Sequence, residues 1–436
     1  MLKRKIINQL IVWKNTKNKK CLLIQGARQT GKTYSVEEFG RNNYKEMITI
    51  NFKEQPEAAE IFSGNLEVDN LVTALRFRYP DKMIKPGETL IFLDEIQECS
   101  EAITSLKFWT IDGRFDVIAS GSMLGIDYKR ASSYPVGYVE YTKLYGLDFE
   151  EFLWAKGIGE DLISKLKEFF DNKQIVPEAI HNSMMKYFRE FVAIGGMPEV
   201  VQRYIDTNDF REVDKIQRDL LLGYQYDIAH YATAADKVKA EKCYLSLSRQ
   251  LLDKENHKFQ YKEVEHNGRA QKFYSSIDWL LRADLIKLCH LVTDVEYDLR
   301  DYARDDFFRA YTTDMSLLIA MKDIGLKQQI YENTLIGNTK GGIYECVIAD
   351  TFIKNKLDMY FYKNDSTNKE IDFLIQINGE VIPVEVKSGN TRANSLKWLK
   401  KRNPEIKSMI KLVDGNIGIS EDGIITLPLY MAMFIK

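Results

Sequence analysis

Three short apolar runs punctuate the first third of the chain: Cys21 to Gln25, Leu90 to Leu93, and the stretch "FDVIASGSMLG" that begins at Phe115. Runs of this length bounded by turn formers predict buried strands, and the helical spacing after "CLLIQ" predicts a strand, a loop and a helix in that order. From about Leu153 to Ala240 the period changes. Apolar residues recur at helical intervals in "DLISKLKEFF" and "MMKYFREFVAIGG", with Gly195-Gly196 as punctuation, so a helical lid is expected there. "GGMPE" sets Pro198 just behind that glycine pair, which reads either as a hinge or as an ordinary loop.

The segment "KFQYKEVEHNGRAQKFYSSIDWLLRADLIKLCHLV" then reads as a short element, a turn at Asn267-Gly268, an amphipathic helix and an apolar strand. That order predicts a winged helix, whose Arg269, Gln271, Lys272 and Tyr274 either enter a DNA groove or serve domain packing. "GLKQQIYENTLIGNTKGG" is the expected linker. Beyond it the pattern becomes helix, three strands, helix, strand, an αβββαβ order. The expected organisation is therefore α/β: residues 1–152 as a phosphate-loop sheet domain, 153–240 as a helical lid, 241–324 as a winged-helix-like domain, and 325–436 as the αβββαβ domain.

Composition narrows the classes. A chain of 436 residues exceeds one ordinary core, and 45% hydrophobic with 28% charged residues excludes extended disorder. The formal net charge of −2 exerts no overall pull toward nucleic acid, so any DNA contact must use a local basic face. Five scattered cysteines without a CxxC pair argue against a zinc site and for a reducing compartment. No stretch reaches the roughly 18 apolar residues of a membrane span, and the basic start lacks a cleavage signal, so a cytoplasmic protein without a membrane partner is expected.

The sharpest chemistry lies in Gly26-Ala27-Arg28-Gln29-Thr30-Gly31-Lys32-Thr33, which follows a strand and opens a helix. The glycines let the backbone curl so that its N–H groups cradle phosphates; Lys32 reaches the β- and γ-phosphates, and the Thr33 hydroxyl suits Mg²⁺. The expected ligands are ATP and Mg²⁺. "LIFLDEIQ" supplies the acids: Asp94 to hold Mg²⁺ through water, and Glu95 to polarise the attacking water. Ser120, at the end of a further strand, is the first choice for sensing the γ-phosphate, or else it caps the following turn.

These motifs, followed by "IASGSMLG", "SSYPVGYVEYTKLYGLDFEEFLWA" and "FREFVAIGGMPEVVQRYI", resemble the AAA-type ATPases of bacteria and archaea that carry a restriction-endonuclease-like carboxyl-terminal domain. The resemblance implies a five-stranded sheet with "EMITINF" and "VEYTKLY" as its remaining strands, and a possible homo-oligomer. It departs at Tyr138, where Arg or Lys is usual; Arg130 is the nearby cation.

In the last quarter, "EIDFLIQI" and "EVIPVEVK" flank Asn378-Gly379, a hairpin signal that pairs 377 with 380 and hence 372 with 385. Asp372 and Glu385 would then face each other, and two opposed carboxylates call for a cation such as a second divalent metal. Lys387 lies on the same strand face as Glu385, where it would hold a water or stabilise a phosphorane, and Glu345 adds a helix-borne ligand. This resembles the core of restriction-type nucleases. Three functions stay open: an ATP-regulated DNA endonuclease, an ATPase switch whose nuclease-like domain binds DNA or protein, and a nucleotide-regulated interaction protein with negligible turnover.

Overall fold

Alternate residues of the first strands bury themselves on opposite sides of one sheet. Leu23, Ile91, Leu93, Val117 and Ala119 belong to one apolar core, and Leu22, Ile24, Leu90, Phe92 and Ile118 to another. A strand buried on both faces has no polar side to show, which is why these segments read as unbroken apolar runs. The computed structural model describes residues 2–122, 135–233, 235–252, 258–364, 366–389 and 392–436. Arg130 lies outside them.

The chain forms two compact units, one chiefly Arg4–Tyr145 and the other chiefly Gly146–Leu281 with Leu285–Lys436. The first holds β1 (Cys21–Gln25), β2 (Glu46–Asn51), β3 (Thr89–Asp94), β4 (Asp116–Gly121) and β5 (Val139–Lys143) in the order β2-β3-β4-β1-β5. All four pairings are parallel, as the five-stranded expectation requires. Parallel neighbours need crossovers, and helices such as Lys32–Asn43 and Ser100–Asp112 supply them. The phosphate loop thereby sits at the carboxyl ends of the central strands.

The second unit opens with helices, among them Glu160–Asn172, Glu178–Ile194 and Phe210–Tyr231, in agreement with the helical reading. Eight further strands form one sheet: β6 (Ile286–Val292), β7 (Ala303–Thr312), β8 (Tyr360–Asn364), β9 (Lys369–Ile377), β10 (Glu380–Val386), β11 (Met409–Val413), β12 (Gly418–Ile419) and β13 (Ile424–Pro428). Their order is β12-β13-β11-β10-β9-β8-β6-β7. The helix Gly337–Lys354, then β8, β9 and β10, the helix Asn394–Arg402 and β11 reproduce the αβββαβ order.

The segments 153–240, 241–324 and 325–436 all lie within one compact unit, and the other closes at Tyr145. The physical reason is strand pairing: β6 runs parallel to β8, so the antiparallel β6–β7 pair extends the carboxyl-terminal sheet instead of standing as a free wing. The expected linker is helical over Gly325–Tyr331 and again from Gly337, with Lys327 fully buried against Asp214 at 2.5 Å. Its Gly and Asn residues mimic a loop signal, but the burial of Lys327 and Ile330 overrides it. The "GGMPE" turn is packed tightly: a Cβ on Gly195 would strike Ser316, and one on Gly196 would strike the Leu147 carbonyl.

Candidate functional site

In the first unit the phosphate loop is shaped by two glycines. Gly31 has φ +89°, and a Cβ on Gly26 would collide with the Leu144 carbonyl. Thr30 ties the loop to itself through its hydroxyl, which donates to the Ala27 carbonyl at 3.0 Å, and Arg4 donates to the Thr30 carbonyl at 2.9 Å. The Lys32 ammonium is buried and donates to the carbonyls of Gly26 (3.0 Å) and Ala27 (2.8 Å). Burial pulls its pKa down, while the charges of Glu95 and Asp94 oppose that pull. A desolvated ammonium held on neutral carbonyls is poised to trade them for phosphate oxygens.

Asp94 ends β3 and gathers the polar groups of its neighbours. Its Oδ2 accepts from Thr33 Oγ1 at 2.8 Å and from Asn51 Nδ2 at 3.2 Å, and its Oδ1 accepts a very short hydrogen bond from Ser120 Oγ. Burial raises its pKa, and the hydroxyls of Ser120 and Thr33 work against that rise. A hydroxyl and a carboxylate oxygen side by side are the hard oxygen donors that Mg²⁺ takes, so Thr33 and Asp94 fit that ion. Asn51 ends β2 beside Asp94, the register partner that parallel pairing hands it. Glu95 adopts a left-handed conformation, φ +52°, and its Oε2 accepts from Gln97 Nε2 at 2.6 Å. Left-handed backbone is sparsely populated by residues other than glycine and collects at functional sites.

The structure thus brings Lys32, Thr33, Asp94 and Ser120 together at the carboxyl ends of β1, β3 and β4, with Glu95 next in chain. Ser120 spends its hydroxyl on Asp94. Sequence reading passed over Asn51 and Gln97. The only available signals were a polar residue closing "EMITIN" and a glutamine two places after the acids.

In the second unit the hairpin register holds from Glu380↔Ile377 to Val384↔Phe373. One step further the ladder gives way to a side chain: Asp372 Oδ2 accepts the Val386 N–H at 2.8 Å. Glu385, nearly fully buried, pairs with Lys387 at 2.6 Å and stands opposite Lys411 on β11. The acids that the sequence assembled around a metal are therefore otherwise engaged. Glu345 Oε1 accepts from Arg309 at 2.7 Å and from the Tyr311 hydroxyl at 2.6 Å; Arg309 makes a second, very short contact to Glu370. Among the described residues no group of three or more His, Cys, Asp or Glu side chains is gathered so as to hold a metal ion. Of the expected set, Glu345 is paired with Arg309 and Glu385 with Lys387, while Asp372 accepts a backbone N–H, so two of the three carboxylates already have a protein cation in contact. Arg309, Tyr311 and Glu370 were missed. Glu370 shares a strand face with Asp372, and Arg309 is a charge inside the apolar "FFRAY", so each left a faint mark in the sequence.

Residues 18–153 match a family model described as an AAA domain, residues 185–329 match a domain of unknown function (DUF8612), and residues 340–431 match another (DUF4143). An uncharacterized protein of Methanocaldococcus jannaschii is 27% identical over 225 residues, 51% of this chain and 45% of that protein, so the match spans less than half of the relative's length. Among solved structures, AMPPCP-bound DnaA from Aquifex aeolicus shares 13% identity, with a TM-score of 0.29, over 76% of this chain and 93% of that one. The Aeropyrum pernix ORC1 protein in complex with DNA shares 12%, with a TM-score of 0.29, over 82% and 95%. The AAA match and the parallel sheet with its phosphate loop make the first unit an AAA-type P-loop domain. No helix among the described residues is long and apolar enough to cross a membrane.

Proposed function

We propose that the chain is an Mg²⁺-dependent ATPase whose nucleotide state sets the behaviour of a nuclease-like, DNA-associated second unit. The observation that carries this reading is the convergence of Lys32, Thr33, Asp94 and Ser120 at one end of the parallel sheet, where ligands of open α/β sheets bind. The backbone of Gly26–Thr33 and the Lys32 ammonium would hold the phosphates of ATP. Thr33 and Asp94 would hold Mg²⁺, which supplies charge neutralisation on the phosphate oxygens. Glu95 would orient a water and take its proton as it attacks the γ-phosphorus, while the bond from that phosphorus to the β–γ bridging oxygen breaks and ADP leaves. The Gln97 amide fixes that carboxylate, and Asn51 and Ser120 fix Asp94. The restriction-endonuclease-like reading of the second unit rests on the αβββαβ order and on Asp372, Glu385 and Lys387 lying on β9, β10 and just beyond. DNA association rests on the basic run Lys397, Lys400, Lys401 and Arg402 along one helix, which would contact phosphates rather than bases.

Steady-state phosphate release by wild type and Glu95→Gln, with and without Mg²⁺, tests the ATPase reading. Wild type should turn over ATP only with Mg²⁺. Glu95→Gln should bind ATP and lose turnover by a factor on the order of 10² to 10⁴, the usual worth of a positioned general base. Failure of wild type to bind ATP, or equal rates in the two proteins, would sink the proposal.

A further inference from the structure

The nuclease-like order of the second unit predicts a metal centre, and its acids do not form one. One side chain reaches two acids of this region from outside the αβββαβ segment. Arg309 stands on β7, opposite Cys289 of β6, in the strand pair that joins the sheet edge beyond β8. Its side chain is 7% exposed, and its fork spans two carboxylates: Nη1 meets Glu345 of the Gly337–Lys354 helix at 2.7 Å, and Nη2 meets Glu370 of β9 in a very short contact. The guanidinium lies 4.6 Å from the centre of the Phe361 ring, and the Tyr311 hydroxyl donates to the same Glu345 oxygen at 2.6 Å. A planar fork with two carboxylates and an aromatic face is the geometry that guanidinium satisfies and ammonium does not.

The neighbouring acids are matched as well. Glu370 stands opposite Lys363 in the β8–β9 ladder, and Glu385 bonds Lys387 and stands opposite Lys411. Three carboxylates (Glu345, Glu370, Glu385) are thus contacted or faced by four cations (Arg309, Lys363, Lys387, Lys411), and the fourth, Asp372, accepts the Val386 N–H. A divalent ion entering this balance would meet a fixed positive charge that cannot leave by losing a proton, since guanidinium stays charged in proteins.

We propose that Arg309 is the resident cation of this carboxylate cluster, which makes it a metal-free ion-pair clamp binding β7 and β9 to the Gly337–Lys354 helix rather than a metal-dependent hydrolytic centre. The inference deepens the second-unit half of the proposed function and leaves the phosphate site untouched.

Mn²⁺ titration of the full chain without nucleotide, followed by electron paramagnetic resonance, and thermal melts of the same samples test it. Wild type and Asp372→Asn should give superimposable Mn²⁺ isotherms. Arg309→Met should lower the melting temperature of the second unit on the order of 10 °C, because it strands buried carboxylates. Should that variant not fold, Arg309→Met combined with Glu345→Gln and Glu370→Gln removes charge from both sides and should recover at least half of the loss. One tight Mn²⁺ equivalent in wild type that disappears in Asp372→Asn would overturn the proposal, as would an Arg309→Met melt within about 1 °C of wild type or a triple variant that melts no higher than Arg309→Met. ATP turnover on the same samples reports the phosphate site separately, so failure of one reading is distinguishable from failure of the other.

Discussion

Single side chains in this protein are governed by who shares their burial. Asp94 is held by three donors from three different strands or helices, so loss of one donor should be felt without loss of the fold. Thr33→Ala is expected to raise the Mg²⁺ concentration needed for half-maximal turnover several-fold, with nucleotide binding in the absence of metal unchanged; a Mg²⁺ titration of the rate measures this. Asp350 shows the reverse economy. It is almost wholly buried, contacts Lys354 at 2.8 Å, and burial pushes its carboxyl up to about 7 from an ordinary 3.8. A raised acid binds its proton more tightly folded than unfolded. Its contribution to stability is therefore complete below about pH 4 and is lost as pH rises toward 7. Asp350→Asn cannot lose that proton, so the melting temperature of the variant relative to wild type should climb between pH 4.5 and 7.5. A flat difference across that window would disprove the assignment.

Elements are held by contacts that their own sequence does not advertise. The Gly195-Gly196 turn connects Glu178–Ile194 to Pro198–Thr207, and it packs against Leu147 and Ser316. Around it, Lys354 donates to the Leu147 carbonyl at 3.0 Å and pairs with Asp314 at 3.1 Å, while Asp314 caps the Met315–Ala320 helix. Gly196→Ala should destabilise the second unit by roughly 2 to 4 kcal/mol, since a methyl group would displace that carbonyl, and chemical denaturation should show it as a lowered midpoint. A hinge would tolerate the same change. The turn was legible as a turn, because a glycine pair before proline breaks any helix. Its burial was not legible, because the groups that close over it, Leu147, Asp314, Ser316 and Lys354, are distant in the chain.

For the molecule as a whole, two compact units predict separable responses to ligand. ATP with Mg²⁺ at 100 times its dissociation constant should stabilise the unit that carries the phosphate loop by about 2.7 kcal/mol, and hydrogen exchange should slow in Gly26–Thr33 and along β3. Uniform slowing elsewhere with none at the loop would contradict the assignment. The amino-acid sequence by itself determined the first unit's sheet, the phosphate loop, the acids at the end of β3 and the hairpin register around Asn378-Gly379. Each of these depends on residues close in the chain, where spacing, strand period and turn chemistry act directly. Tertiary structure alone decided how the charges pair. Arg309 reaches Glu345 and Glu370 only because β6 joins β8, so of the three carboxylates that read as a metal site along the chain, Glu345 becomes a counter-ion of a buried guanidinium, Glu385 pairs with Lys387, and Asp372 takes a backbone N–H. Local pattern sets which charges are present; desolvation and long-range strand pairing set which of them must neutralise one another.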